Sequence, residues 1–396
     1  MQKNRMRVLA EAMEEEMIAL RRRLHACAEL DFDLDRTVGI VEERLAELDI
    51  ENRRVAGTGV AARLRGRFGN ASVLLRADMD ALPLREEADV PWRSKNEGAM
   101  HACGHDAHTA CLLGAASLLR KLEDTLPCDV LLVFQPAEET SGGALPMLSE
   151  GLLDGADVGA AFALHCDPSL PAGKFGVHRG ACRAASDMFD CAVRGRGTHG
   201  AEPHRGDDVI AIACRTIDAL HQLVGRVVEP SEPAVISIGS FHAGTARNIL
   251  PERAEFSGIL RTLDQETRIG LKAKIRRTVM NIPDVLGAVG EVRFTEGYPA
   301  LVNDHELADL VGVAVSDLFG PEALVRLTKP SMGVDDFSYF SARVPGCYFM
   351  LGTGHGDGRD EPPLHSPRFN PDERAVAFGA ALLAEIAVRA GERHQK

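Results

Sequence analysis

Between Met100 and Thr109 the chain reads MHACGHDAHT. His101, Cys103, His105, Asp106 and His108 crowd into this one segment. Thiolate, imidazole and carboxylate are the donors that transition metals select. The spacing is neither the CxxC of a structural zinc site nor the HExxH of a zincin helix. Gly104 lies between Cys103 and His105, so a tight turn can aim both side chains at one point, which residues two apart on a helix cannot do. A thiolate at Cys103 needs a metal or a positive site to stay deprotonated. The plainer alternative is a buried, inert thiol beside partly exposed histidines; the density of donors favours the metal. His108 falls on the next helix, near Cys111 and Leu112, and reads as a packed or supporting histidine. His101 precedes the turn and fits either role. Asp106 reads as the N-cap of the helix.

QPAEET places Glu138 and Glu139 side by side at the end of an apolar run. Neighbouring carboxylates repel unless a cation or separate tasks hold them. One can bind a metal while the other takes a proton from an activated water. His165 closes AFALH, and His365 sits in PPLHSPRF; each alone reads as a structural histidine. Together, four segments bring Cys, His, Glu, His and His towards one edge. That is the donor count of a two-metal hydrolytic centre rather than a structural site. RGRGTHGAEPH surrounds His199 with glycines that leave its ring accessible. GTARNILP offers Asn248, and GILRTLD offers Arg261 at a strand end. These three can polarise a carbonyl and clamp a carboxylate; equally, they read as a turn histidine, a loop amide and a surface arginine.

The elements that must position these residues alternate between strand and helix. SVLLRADMD, DVLLVFQPAEE, GAAFALHCD and CYFMLGTG are short apolar runs that end in polar residues. Helix-length patterns such as DAHTACLLGAASLLRKLED separate them. This alternation predicts an α/β sheet with its site along the carboxyl edge of the strands. The middle of the chain differs. Strand patterns near residues 187–194, 234–241, 254–263 and 291–296 interleave with helices near 207–224 and 265–280. This β-α-β-β-α-β order is that of a small two-layer α+β domain, inserted into the larger one. The expected fold class is therefore α/β, a larger mixed-sheet domain carrying an inserted ferredoxin-like α+β domain.

The 396 residues suffice for two domains of ordinary size. Nine scattered cysteines without framework spacing predict free thiols and a reducing cytoplasm. A net charge of −13 argues against nucleic acid as a partner. No apolar run is long enough for a membrane span. The N-terminal stretch MQKNRMRVLAEAMEEEMIALRRRLH reads as a charged amphipathic helix rather than a signal peptide. Its Arg21-Arg22-Arg23 run reads as a solvated helix face.

In this order, the segments resemble the metal-dependent aminoacylase and carboxypeptidase family. The closest branch is that of hippurate hydrolases, N-acyl-amino-acid amidohydrolases and indoleacetyl-amino-acid hydrolases. RADMDALP, MHACGHDAHT, QPAEE, ALH, GRGTHGAEPH, GTARNILP, MGVDDFSYF and PLHSPRFN carry the resemblance. It implies hydrolysis of an N-acyl amino acid to a carboxylic acid and a free amino acid. It also implies two divalent cations per subunit, with Mn, Zn, Co and Ni as the candidates. Cys103 would bridge the two metals. His105 and His165 would complete one shell, and Glu139 and His365 the other. Glu138 would be general base and then acid. His199 would stabilise the oxyanion, in its own subunit or across a dimer. Asn248 and Arg261 would contact the substrate carboxylate. Asp78 would orient a ligand from behind. The resemblance implies residues 1–184 and 298–396 as two parts of a catalytic domain, and 185–297 as an inserted lid and dimerisation domain. That domain would build a homodimer, or a tetramer made of dimers.

The chain departs from the family in places. Relatives outside the branch often carry a histidine ligand where Arg76 stands. HACAEL has Ala28 in place of the usual proline, and MGVDDF brings Val334 and Asp335. These departures bear on substrate preference more than on catalysis. Within the family, a dipeptidase or carboxypeptidase is the alternative activity. A hydrolase with Cys103 as nucleophile, and a metal-holding protein without activity, are the rivals from other classes.

Overall fold

The structure is a computed structural model that describes residues 5–67 and 71–394. It forms two compact units. The first comprises Met1–Gly180, Val302–Lys329 and Tyr339–Lys396; the second comprises Ala181–Leu301 and Pro330–Ser338.

The first unit is built on an eight-stranded mixed sheet. Its strands are β1 (Asn52–Val55), β2 (Gly59–Leu64), β3 (Ser72–Asp78), β4 (Asp129–Gln135), β5 (Val158–Pro171), β6 (Phe175–His178), β7 (Leu324–Leu327) and β8 (Gly346–Gly354). They lie in the order β1-β2-β4-β3-β5-β8-β6-β7. At the centre, β3 runs parallel to β4 and β5, and β8 parallel to β5. Every residue of β3 and β4 is buried, the pattern of parallel strands covered on both faces. The carboxyl ends of β3 and β4 are in register, Asp78 opposite Gln135, so the loops that leave the two strands emerge side by side.

The N-terminal helical stretch is two helices, α1 (Arg5–Glu11) and α2 (Glu14–Ala26); residues 1–4 lie outside the described residues. Helix α3 (His105–Arg120) is buried along its whole length except for Arg120. A helix apolar on all sides must be enclosed on all sides. Close approach is possible because Gly114 has no side chain: a Cβ there would lie 2.8 Å from both Ala380 Cβ and Met17 Sδ. Those atoms belong to α2 and to α4 (Arg374–His394).

The arginine run of α2 does not form a solvated face. Arg21 is fully buried. Its Nε lies 2.7 Å from Asp106 Oδ2, and Arg22 pairs with Glu373 through two nitrogens. Only Arg23 of the run is an exposed cation, paired with Glu43. The reason is the enclosure of α3: Asp106 is buried in its first turn and requires a cation from the neighbouring helix. His25, one turn after Arg21, adds a 2.7 Å contact from Nδ1 to the same carboxylate and a 3.0 Å contact from Nε2 to Glu86. Arg21→Met is expected to destabilise the protein by about 3 kcal/mol, because it strips a buried carboxylate of its guanidinium. Urea unfolding measures this; a loss below about 0.5 kcal/mol would be that of a surface substitution instead.

The second unit has an antiparallel sheet in the order 234–243, 253–262, 185–194, 289–296. Helices Val209–Val227 and Gln265–Val285 supply Ile212, Leu220, Leu271 and Ile275 to a core shared with Phe189 and Phe256. Asp208 and Asp264 cap these helices by accepting from the backbone N–H of Ala211 and Thr267. The element order matches the expected β-α-β-β-α-β. Among the described residues, no helix of either unit is long and apolar enough to cross a membrane.

Candidate metal centre

Three neighbouring strands of the first unit deliver residues to the same place. β3 leads to Asp78 and Asp80, β4 leads to Glu138 and Glu139, and β5 carries His165. Cys103 and His105 arrive on the turn that opens α3. Gly104 makes this turn with φ of 86°. A Cβ there would fall 2.7 Å from Cys166 Sγ, so only glycine fits. His365 comes from a loop after β8, also with a left-handed φ, and its backbone N–H donates to Ala102 O at 2.8 Å.

The donors fall into two triads that share one residue. Cys103, His105 and His165 form one; Cys103, Glu139 and His365 form the other. In each, the ligand atoms all lie within 4.8 Å of one another. Cys103 Sγ is 3.5 Å from His165 Nε2. His165 Nδ1–H donates to Cys166 O at 2.8 Å, which fixes the tautomer and turns Nε2 towards the thiol. His365 Nε2 and His105 Nε2 stand 3.3 and 3.7 Å from Glu139 Oε1. Glu138 joins His105 and Glu139 in a further close group.

These residues fit a metal. Both ring nitrogens of His105 and Oε1 of Glu139 are buried without an aligned hydrogen-bond partner. Sulfur, imidazole nitrogen and carboxylate oxygen together suit a borderline transition cation. The protonation pattern agrees. Burial pushes the Cys103 thiol well above its ordinary value, with His105 opposing. Burial also disfavours charge on His105, yet Asp78, Asp80 and Cys103 outweigh it and raise its pKa well above the ordinary value. Cys103 and His105 therefore hold protons at neutral pH until a cation displaces them. Metal uptake is expected to release about two protons, and affinity is expected to rise with pH. Titration calorimetry in buffers of different ionisation enthalpy measures the release; uptake without proton release would refute this electrostatic account.

Asp78 forms a close buried group with His105 and His108. Its Oδ2 takes Arg76 Nη1 at 2.5 Å, and its Oδ1 takes His108 Nδ1 at 2.6 Å. His105 Nε2 is 3.8 Å from it. Burial opposes its ionisation, but Arg76, His105 and His108 hold the carboxyl well below its usual range. Arg76 is thus a buried counter-ion of Asp78. His108 accepts the Cys166 backbone N–H at Nε2, 2.8 Å away, so its Nδ1 carries the proton given to Asp78. It supports the site through Asp78 rather than binding from the cluster. His101 is buried and neutral, its pKa pushed down to about 3 by burial. Asp106 does not cap α3: Gly104 occupies the cap position, and Asp106 pairs with Arg21 and His25. The carboxylate that faces His105 Nδ1, at 3.4 Å, is Asp80. Sequence reasoning passed over Asp80, although the DMD spacing puts it on the same face as Asp78.

His199, Asn248 and Arg261 lie in the second unit. His199 pairs with Ile249 in a two-stranded ribbon, and Gly200 N–H donates to Asn248 O at 2.8 Å, which brings the first two together. Arg261 sits on a central strand of the unit's sheet, half-buried, with Nη1 lacking a partner.

A mixed sheet with Cys, His and Glu donors gathered at its carboxyl edge defines a metallohydrolase class of site. The chain belongs to Peptidase family M20/M25/M40, whose pattern covers residues 74–389. It is 40% identical over 382 residues to a thermostable carboxypeptidase 2 of Saccharolobus solfataricus, covering 95% of this chain and 96% of that one. It is 41% identical over 308 residues to an N-acyl-L-amino acid amidohydrolase of Geobacillus stearothermophilus, covering 77% and 83%. Among solved structures, it is similar to a Bacillus subtilis protein described as a dinuclear metal binding peptidase of the M20 family. There the TM-score is 0.85 at 34% identity, covering 96% and 99% of the two chains.

Proposed function

We propose that the protein hydrolyses the amide bond of N-acyl amino acids, releasing a carboxylic acid and a free amino acid. The observation that carries this reading is the pair of donor triads sharing Cys103, with Glu138 beside them. In this reading Cys103 would serve both donor groups that hold the divalent cations. His105 and His165 would hold one cation, and Glu139 and His365 the other. The cations supply Lewis acidity towards the carbonyl oxygen and the attacking water. Glu138 accepts a proton from that water as its oxygen adds to the carbonyl carbon. It returns the proton to the amide nitrogen as the C–N bond breaks. His199 stabilises the oxyanion, and Asn248 and Arg261 hold the substrate carboxylate. The second unit serves as lid and as the interface of a homodimer. Thiolate and imidazole suit Zn, Co or Ni, and the carboxylate admits Mn. All nine cysteines are free thiols, which supports a reducing, cytoplasmic setting.

The similarity to a carboxypeptidase favours a second reading, removal of the carboxyl-terminal residue of a peptide or dipeptide. A Cys103 nucleophile is disfavoured, because burial holds that thiol protonated. One experiment separates the three. The enzyme is stripped with chelator, reloaded singly with Zn, Mn, Co or Ni, and assayed on acetyl-, benzoyl- and indoleacetyl-amino acids beside unblocked dipeptides. Loss on chelation and metal-dependent recovery on N-acyl substrates is the expected result. Full activity after chelation would restore the thiol mechanism, and turnover confined to unblocked peptides would favour the peptidase.

A further inference from the structure

We propose that His25 is a positioning residue, a buried imidazolium that ties the helix turn of His105 to the loop bound to the His365 segment. The inference rests on the metal-dependent amidohydrolase reading above. His25 is the next-to-last residue of α2 and is 1% exposed. Its Nδ1 stands 2.7 Å from Asp106 Oδ2, and its Nε2 stands 3.0 Å from Glu86 Oε1. An ionised carboxylate only accepts, and a neutral imidazole has a single N–H. With a carboxylate at each nitrogen both must donate, so the ring is charged. Burial and the Arg21 guanidinium oppose that charge, but Asp106 and Glu86 outweigh them and raise the pKa of His25. Burial likewise opposes ionisation of the two acids. Arg21 and His25 nevertheless lower the pKa of Asp106, and His25 and the Ser94 backbone N–H lower that of Glu86. His101, whose ring centroid lies 6.0 Å from that of His25, is neutral and adds no charge. Arg21 and His25 thus balance Asp106 and Glu86 in a buried quartet. Each carboxylate leads to one metal-side histidine. Asp106 directly follows His105 in the first turn of α3. Glu86 lies in the loop of residues 83–98, where its Oε2 accepts the Ser94 backbone N–H at 2.7 Å. The next residue, Glu87, donates its backbone N–H to Pro367 O at 2.7 Å, close after His365 in the chain. His105 and His365 belong to different triads, so one side chain outside the centre steadies a donor of each.

His25→Gln tests this. The amide can donate to one carboxylate but turns its oxygen towards the other. Cobalt(II) is the probe, because its d–d and thiolate charge-transfer bands report donor geometry without turnover. The expected result is that both cobalt equivalents bind about tenfold more weakly, the lower end of the range for groups behind metal ligands, with shifted bands. Glu86→Gln leaves the Asp106 contact in place and is expected to weaken chiefly one equivalent; it carries the test if the His25 variant does not fold. Leu118→Ala, in the buried core of α3, controls for destabilisation alone: its thermal midpoint should fall while the cobalt bands stay. A second readout reports the charge. A histidine whose folded pKa is raised stabilises fully below its unfolded pKa of about 6.5 and loses that contribution as pH rises through the folded value. The midpoint gap between the unmodified protein and His25→Gln, measured with chelator, should therefore be widest near about pH 6 and narrow towards about pH 9. A gap that does not change with pH would overturn the imidazolium. Unmodified cobalt affinity and bands in folded His25→Gln, or in Glu86→Gln where it stands in, would overturn the positioning role, and so would bands that move equally in Leu118→Ala. Failure of the unmodified protein to take up cobalt would instead overturn the metal reading, and this inference with it.

Discussion

Glu138→Gln is expected to lower kcat by roughly a thousandfold, inside the range that positioned acid–base groups contribute, while both cations stay bound. The two halves of this result must be measured together. Glutamine matches glutamate in shape and keeps the backbone N–H that Asp80 accepts at 2.9 Å. The triads around Cys103 do not include Glu138, so metal content by elemental analysis should match the unmodified enzyme. What the variant lacks is the ability to take a proton from water and return it to the leaving nitrogen. A thousandfold loss corresponds to about 4 kcal/mol of transition-state stabilisation. Turnover within tenfold of the unmodified enzyme would remove Glu138 from the mechanism. Loss of metal along with activity would make it a ligand and reassign the proton to another group.

Cys103→Ala is expected to have the largest effect on the metal centre. Both triads contain this sulfur, so its removal takes a donor from each of two sites at once. Neighbouring His165 then faces an apolar methyl across the gap where Sγ stood 3.5 Å away. Affinity should fall by more than a hundredfold, and activity should fall to background at micromolar metal. A second readout needs no substrate. A cation that binds only the folded state stabilises it by about 2.7 kcal/mol at a hundred times its dissociation constant. Added metal should therefore raise the thermal midpoint of the unmodified protein and leave that of Cys103→Ala nearly unchanged. An undiminished metal-dependent shift in the variant would show that Cys103 is not the common donor.

Much of this site is legible in one sequence because its residues sit in short segments with strong local signals. Gly104 between Cys103 and His105 announces the turn. Two carboxylates after an apolar strand announce Glu138 and Glu139. Other features could not be read, for reasons that lie in long-range packing. An arginine run on a charged N-terminal helix is ordinarily solvated. Arg21 is buried because α2 packs on α3, whose first turn carries Asp106, 85 positions later in the chain. Asp106 looks like a cap by its place in the sequence, but its carboxylate is claimed by Arg21 and His25. Asp78 and Asp80 have the same type, the same strand end and the same face. Their different partners arise from β4 lying beside β3, which brings Gln135 against Arg76 at 2.9 Å and the glutamate loop against Asp80.

By itself, then, the sequence determined the donor chemistry, the strand and helix elements, the β-α-β-β-α-β middle and the family. Side-chain type, hydrophobic period and glycine placement are local properties, and local properties survive in a string. The resemblance already implied how those donors divide around Cys103; only the tertiary structure brought their ligand atoms within 4.8 Å of one another in each triad. It alone showed that Asp78 and Asp80 face different nitrogens of His105, and that Arg76 is a buried counter-ion of Asp78. Those outcomes depend on strand order, register and enclosure. They are set by which distant segments bury each other, and no window along the chain contains that information.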